Sequence, residues 1–120
     1  MNESLTNLIA EIVAFRDARD WSQFHTPRNL ATALSIEAAE LQESMLWKTD
    51  AEVADLTRDA ASITPLRHEA ADVLIYALLF CNRLGIDPGQ AIRDKLALNA
   101  EKYPVDRAKG RADKYTAYEK

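Results

Sequence analysis

Thr64-Pro65-Leu66-Arg67-His68-Glu69-Ala70-Ala71-Asp72-Val73-Leu74-Ile75-Tyr76-Ala77-Leu78-Leu79-Phe80-Cys81 is the stretch on which the fold turns. Threonine followed by proline reads as a helix cap and a first helical residue, and Gly85 supplies a stop, so a long helix is expected over about 65–84. Within it Ala70, Ala71, Val73, Leu74, Ile75, Ala77, Leu78, Leu79 and Phe80 point in nearly every direction around the axis. A helix that is apolar all round has to be buried all round. The other long helices of a 120-residue chain cover one side of it but not every side. A homo-oligomer, dimer or tetramer, is therefore expected, with this helix at its centre.

Outward from that stretch, the 3.6-residue period recurs. Leu5, Leu8, Ile9, Ile12 and Phe15 form one stripe of a helix over about 3–19. Thr26-Pro27 opens a second helix, expected to run to about Trp47, and Thr49-Asp-Ala-Glu52 has the form of a capping box at the head of a short helix over about 50–60. Asp87-Pro88-Gly89-Gln90 starts a helix over about 88–102, which Pro104 stops. With three glycines, four prolines and no strand-like alternation, the expected fold is all-α, a four-helix bundle, in a single domain over 1–120. From Lys102 onward six Lys or Arg face three Asp or Glu, and this basic tail, about 105–120, reads as a solvated end.

Composition excludes several functions. A formal charge of 15 − 19 = −4 and a pI near 5.1 argue against a nucleic-acid partner. The longest apolar run, broken by Asp72, is short of the roughly 20 residues of a membrane span. The N-terminus lacks the basic-then-apolar pattern of a signal peptide, and one cysteine, Cys81, gives neither a disulfide framework nor a cysteine zinc site, so a cytoplasmic protein is expected. Cys81 sits in the apolar helix with no base beside it in sequence, which is the setting of an inert thiol.

The acids are in the wrong place for a plain bundle. At about 100° per residue, Glu37 falls inside the stripe made by Leu30, Ala33, Leu34 and Leu41, with Glu40 one turn away on its shoulder. Glu69 and Asp72 repeat the spacing on the apolar helix, and Tyr76 continues their face. One Glu-x-x-Glu pair is ordinarily a solvated face or a partner for Arg28, Arg67 or Arg83. Two such pairs directed at one interior need cations or must stay largely protonated, since burying an unpaired carboxylate costs on the order of several kcal/mol. An all-oxygen set suits a hard divalent ion, Mg2+ or Mn2+. The di-iron bundle alternative needs Glu-x-x-His on helices, which neither His25 nor His68 provides.

These residues resemble the MazG-like branch of the all-α nucleoside triphosphate pyrophosphohydrolases, and among them the dCTP pyrophosphatases. The resemblance rests on Glu37-Ala-Ala-Glu40 and Glu69-Ala-Ala-Asp72, on Arg19-Asp-Trp-Ser-Gln-Phe-His-Thr-Pro-Arg-Asn29, and on Met45-Leu-Trp-Lys48, Asp72-Val-Leu-Ile-Tyr76 and Lys102-Tyr-Pro104. It implies Mg2+-dependent hydrolysis of a (deoxy)nucleoside triphosphate, dCTP or a modified dCTP, to the monophosphate and pyrophosphate. It also implies that Glu37, Glu40, Glu69 and Asp72 are metal ligands and catalytic residues. By the same resemblance Trp21, Phe24, His25, Arg28, Trp47, Tyr76 and Tyr103 are candidates for binding the substrate, as are Lys95 and Asn99 on one polar face of the 88–102 helix. Lys109-Gly-Arg-Ala-Asp-Lys-Tyr115 is similar to the family's C-terminal segment. The competing readings are a triphosphate pyrophosphatase of broader specificity and a catalytically silent helical interaction module.

Overall fold

The computed structural model describes residues 4–118. It is all-α, as expected, with no strand among the described residues. The chain forms two compact units, residues up to 86 and residues from 87.

In the first unit α1 (Leu5–Ala18), α2 (Pro27–Glu43), a short α3 (Asp50–Asp55) and α4 (Ala60–Leu84) follow one another. Each starts on a side chain that accepts from a backbone N–H: Ser4 from Asn7, Thr26 from Asn29, Thr49 from Glu52 and Asp59 from Ser62. The Thr49 capping box closes reciprocally, with Glu52 Oε1 accepting from the Thr49 N–H at 2.9 Å. α2 packs chiefly on α4, and α1 leans on the same helix, so α4 is the centre of the unit. Leu30 of α2 and Leu79 of α4, 1% and 4% exposed, are the fully buried apolar side chains among the described residues. Leu74, on the apolar helix, is 62% exposed.

Two helix boundaries differ from expectation. α4 begins at Ala60 rather than Pro65, because Asp59 caps Ser62 through both backbone N–H and hydroxyl, at 2.8 and 2.9 Å. Pro65 then lies inside the first turns, where its missing N–H deprives only the Ala61 carbonyl of a partner. α2 stops at Glu43 rather than Trp47: Ser44 to Trp47 are turns, and Trp47 adopts φ 67°, which cannot continue a right-handed helix. Gly85, at φ 69°, ends α4 as a left-handed cap that costs a glycine nothing. No helix among the described residues is long and apolar enough to cross a membrane.

The second unit carries α5 (Pro88–Lys102), capped by Asp87, then α6 (Val105–Ala108) and a helical turn at Tyr115–Ala117. The expected solvated tail is mostly exposed, yet it is pinned by tyrosines. The Tyr103 ring meets Tyr115 and Tyr118 edge-on at 5.7 and 6.0 Å, and Lys102 and Arg111 lie over Tyr115 and Tyr118.

Candidate functional site

The helical spacing of α2 and α4 brings the acids together. Glu37, Glu40 and Glu69 each offer an oxygen such that all these atoms lie within 4.8 Å of one another. Asp72, one turn beyond Glu69, is close enough for its charge to act on both Glu37 and Glu69. None of these acids lies within ion-pair distance of a lysine or arginine among the described residues, so the salt bridges open to Arg28, Arg67 or Arg83 do not form.

The electrostatic consequence is visible in the protonation of the cluster. Glu37 is half-buried, and its carboxyl is pushed up to about 7, first by burial, then by its hydrogen bond with Glu40 and the charges of Glu40, Asp72 and Glu69. Glu69 is raised as well, by burial and then by Glu40 and Asp72. The Oε2 atoms of Glu37 and Glu69 are buried with no hydrogen-bond partner. Orphaned, mutually repelling carboxylate oxygens at this spacing fit a divalent cation, which would replace protons as the source of neutralisation.

A cavity of about 420 Å³ adjoins the acids through Asp72 and Tyr76. Ile12, Phe15, Trp21, Ile75 and Leu79 give it apolar walls, and Glu11, Arg16, His25, Asp72 and Tyr76 bring polar atoms to it. The rings form a chain: Phe15 to Trp21 at 5.9 Å, Trp21 to His25 at 6.5 Å, His25 to Tyr76 at 6.5 Å. Burial and the positive charge of Arg16 lower the pKa of His25, so its imidazole is neutral at pH 7. Burial and the nearby acids raise the Tyr76 pKa, so its hydroxyl stays a donor. The volume and the mixture of flat apolar walls with few polar groups match a small-molecule site.

Of the residues singled out in sequence, Trp21, His25, Asp72 and Tyr76 meet at this cavity. Phe24 does not line it; the Phe24 ring is exposed and its carbonyl accepts from Asn29 Nδ2 at 3.0 Å. Arg28 is exposed in the first turn of α2, and Trp47, 92% exposed, stands clear of the cavity wall. Lys95, Asn99 and Tyr103 belong to the second unit, where Asn99 accepts from the Tyr103 N–H through its carbonyl at 2.8 Å. The cavity also contains residues that sequence reasoning took only as core or overlooked. Phe15 was part of a stripe, and the signal for Arg16 was its place one turn after Ile12, on the cavity face of α1.

An all-α chain with an acidic centre set between two helices and an aromatic cavity beside it defines a narrow class. A model of the MazG-like family matches residues 32–117, which takes in all four acids. The dCTP pyrophosphatase 1 of Rattus norvegicus and that of Homo sapiens are 40% and 39% identical to the chain over 114 residues, covering 95% of this chain and 65% of each relative. The chain thus spans just under two thirds of the length of these curated relatives. The crystal structure of a pyrophosphatase from Archaeoglobus fulgidus is similar with a TM-score of 0.74 and 39% identity, over 87% of this chain and 95% of that one. The chain belongs to the MazG-like family.

Proposed function

We propose that the chain is a nucleoside triphosphate pyrophosphohydrolase that requires Mg2+, converting dCTP or a modified dCTP to the monophosphate and pyrophosphate. The observation that carries this reading is the convergence of Glu37, Glu40 and Glu69 within 4.8 Å, with orphaned buried oxygens and no cationic partner, next to an aromatic cavity. The names of the similar proteins point the same way.

Glu37, Glu40, Glu69 and Asp72 would hold the ion. A divalent ion held by these carboxylates would supply charge neutralisation for a polyanionic substrate and Lewis-acid polarisation of its phosphoryl oxygens. Glu37 would have to give up its proton to hold the ion, since a carboxylate ligates only when ionised. The triphosphate then lies toward α2 and α4 at the acids, and the base enters the cavity, where Trp21 and Tyr76 offer faces and neutral His25 offers one donor and one acceptor. The walls of Ile12, Phe15, Ile75 and Leu79 exclude water from the base. Self-association is part of the same reading, supported by the exposed Leu74 and Ile36 on the helices that carry the acids.

The test is pyrophosphate release from a panel of triphosphates with Mg2+, and with the ion removed by chelation. Glu40→Gln and Asp72→Asn are each expected to abolish release while leaving the melting temperature unchanged or higher, because removing charge from a crowded acidic centre relieves repulsion. Release near the parental rate in either variant overturns the site. A folded protein that cleaves no triphosphate would instead be a silent helical module.

A further inference from the structure

The cavity holds a cation that the proposed chemistry leaves unused. Arg16 lies on the face of α1 that also carries Ile12, and its side chain is only 12% exposed. Nε donates to Asp17 Oδ1 at 2.9 Å, and Nη1 reaches Asn82 Oδ1 at a long 3.4 Å. A guanidinium has five N–H donors in a fixed fork, so the remaining donors of Arg16 have no partner among the described residues. Asn82 is ten residues beyond Asp72 on α4, about 15 Å along the axis at the helical rise. The guanidinium therefore stands at the end of the cavity remote from the acids. A nucleotide anchored by its phosphates at the acidic end turns its base, not its phosphates, toward Arg16. The Nδ1 atom of His25, on the same cavity, is buried and unpartnered, a second polar atom awaiting a ligand.

We propose that Arg16 selects the base, its guanidinium fork donating to the two adjacent acceptors N3 and O2 of cytosine. Thymine places an N–H between its carbonyls and adenine sets an amino group beside N1, so each turns a donor against the fork and leaves a buried N–H unpaired. Guanine offers two adjacent acceptors at O6 and N7, the same chemistry from another source. The inference rests on the pyrophosphohydrolase reading and adds the residue that discriminates among its substrates.

Two assays separate the inference from that reading. The first is equilibrium binding of deoxycytidine, deoxyguanosine, thymidine and deoxyadenosine without metal, followed by tryptophan fluorescence, for the parent chain, Arg16→Met and Arg16→Lys. The second is kcat/KM for the four deoxynucleoside triphosphates with Mg2+. The parent is expected to favour the cytosine compound in both. Arg16→Met should weaken that compound by about tenfold or more, as for loss of a bidentate base contact, and leave thymine and adenine compounds within about twofold. Arg16→Lys keeps the charge but not the fork and should lose the same preference. An equal fall for all four bases, or an unchanged ranking, overturns the proposal and makes Arg16 a brace between α1 and α4. An Arg16-dependent preference for guanine overturns the assignment to cytosine. Arg16-dependent nucleoside binding with no triphosphate cleaved leaves Arg16 as the selector and fails only the activity reading.

Discussion

Glu37 concentrates the physics of the site in one side chain. Its carboxyl is raised from 4.5 to about 7, so between those values the folded chain binds more protons than the unfolded one. Stability linked to this group is complete below pH 4.5 and is lost as pH rises through 7. The metal-free protein is thus expected to melt at progressively lower temperature from about pH 5 to pH 8, with Glu37→Gln flattening that slope. Mg2+ should reverse the slope, because ionised carboxylates bind the ion and binding to the native state stabilises it. Melting curves across that range with and without Mg2+ check both signs; a parental slope that Glu37→Gln leaves intact removes Glu37 as its source. Glu37 was legible in sequence because a charge inside an apolar stripe breaks the helical pattern. Arg16 also falls inside the apolar stripe of α1, but an arginine in the last turn of a helix reads as a partner for the helix C-terminus, which masks its place on the cavity face.

At the scale of the elements, the segment between α2 and α3 and the start of α4 show where local chemistry departs from simple rules. Trp47 is held at φ 67° with its ring 92% exposed, a conformation that costs a bulky residue on the order of 1 kcal/mol and gains no packing within the chain. Trp47→Gly is expected to hold or raise the melting temperature while raising KM for every triphosphate alike, if the ring stacks on the base in the assembled protein. A higher melting temperature with unchanged KM would leave the strained tryptophan without that role. Asp20 shares the positive φ at 54°, but an aspartate tolerates it, and Gln23 Nε2 donates to both its carbonyl and its carboxylate at 3.1 Å. At the head of α4 the cap is Asp59, so Asp59→Ala should lower stability by about 1 kcal/mol, seen as a lower urea midpoint. Thr64→Ala should do much less, because Thr64 lies inside the helix and not at its end. The start of α4 was misplaced in sequence because threonine before proline satisfies a cap rule wherever it falls. Only the Asp59 hydrogen bonds show which cap is used.

For the whole molecule the decisive fact is how little one chain buries. Leu30 and Leu79 alone are fully buried among the described residues, while Leu74 on α4 and Ile36 on α2 stay more than half exposed. These large apolar side chains, left open on the helices that carry the acids, are where the proposed self-association would bury surface. Leu74→Glu is accordingly expected to reduce the particle to a smaller one in light scattering, since a charge there would have to be buried unpaired at a cost of several kcal/mol by rough estimate. In a monomer the same substitution at an exposed position would be nearly neutral. A variant of parental size and melting temperature therefore places the interface elsewhere.

Periodicity, capping residues and charge by themselves determined that this chain is helical, where its long helices lie to within a few residues, and that Glu37 and Glu40 share one helix face and Glu69 and Asp72 another. Those are local properties: a 3.6-residue period and an i, i+3 spacing fix which side chains share a face before any helix meets another. Only the tertiary structure decided that Glu37, Glu40 and Glu69 converge within 4.8 Å without a cationic partner, that Arg16 and Phe15 join Trp21, His25 and Tyr76 around one cavity, and that Phe24 and Trp47 do not. Those facts depend on how α1 and α2 are set against α4, which is a matter of side-chain packing between segments distant in sequence, and no local pattern encodes it.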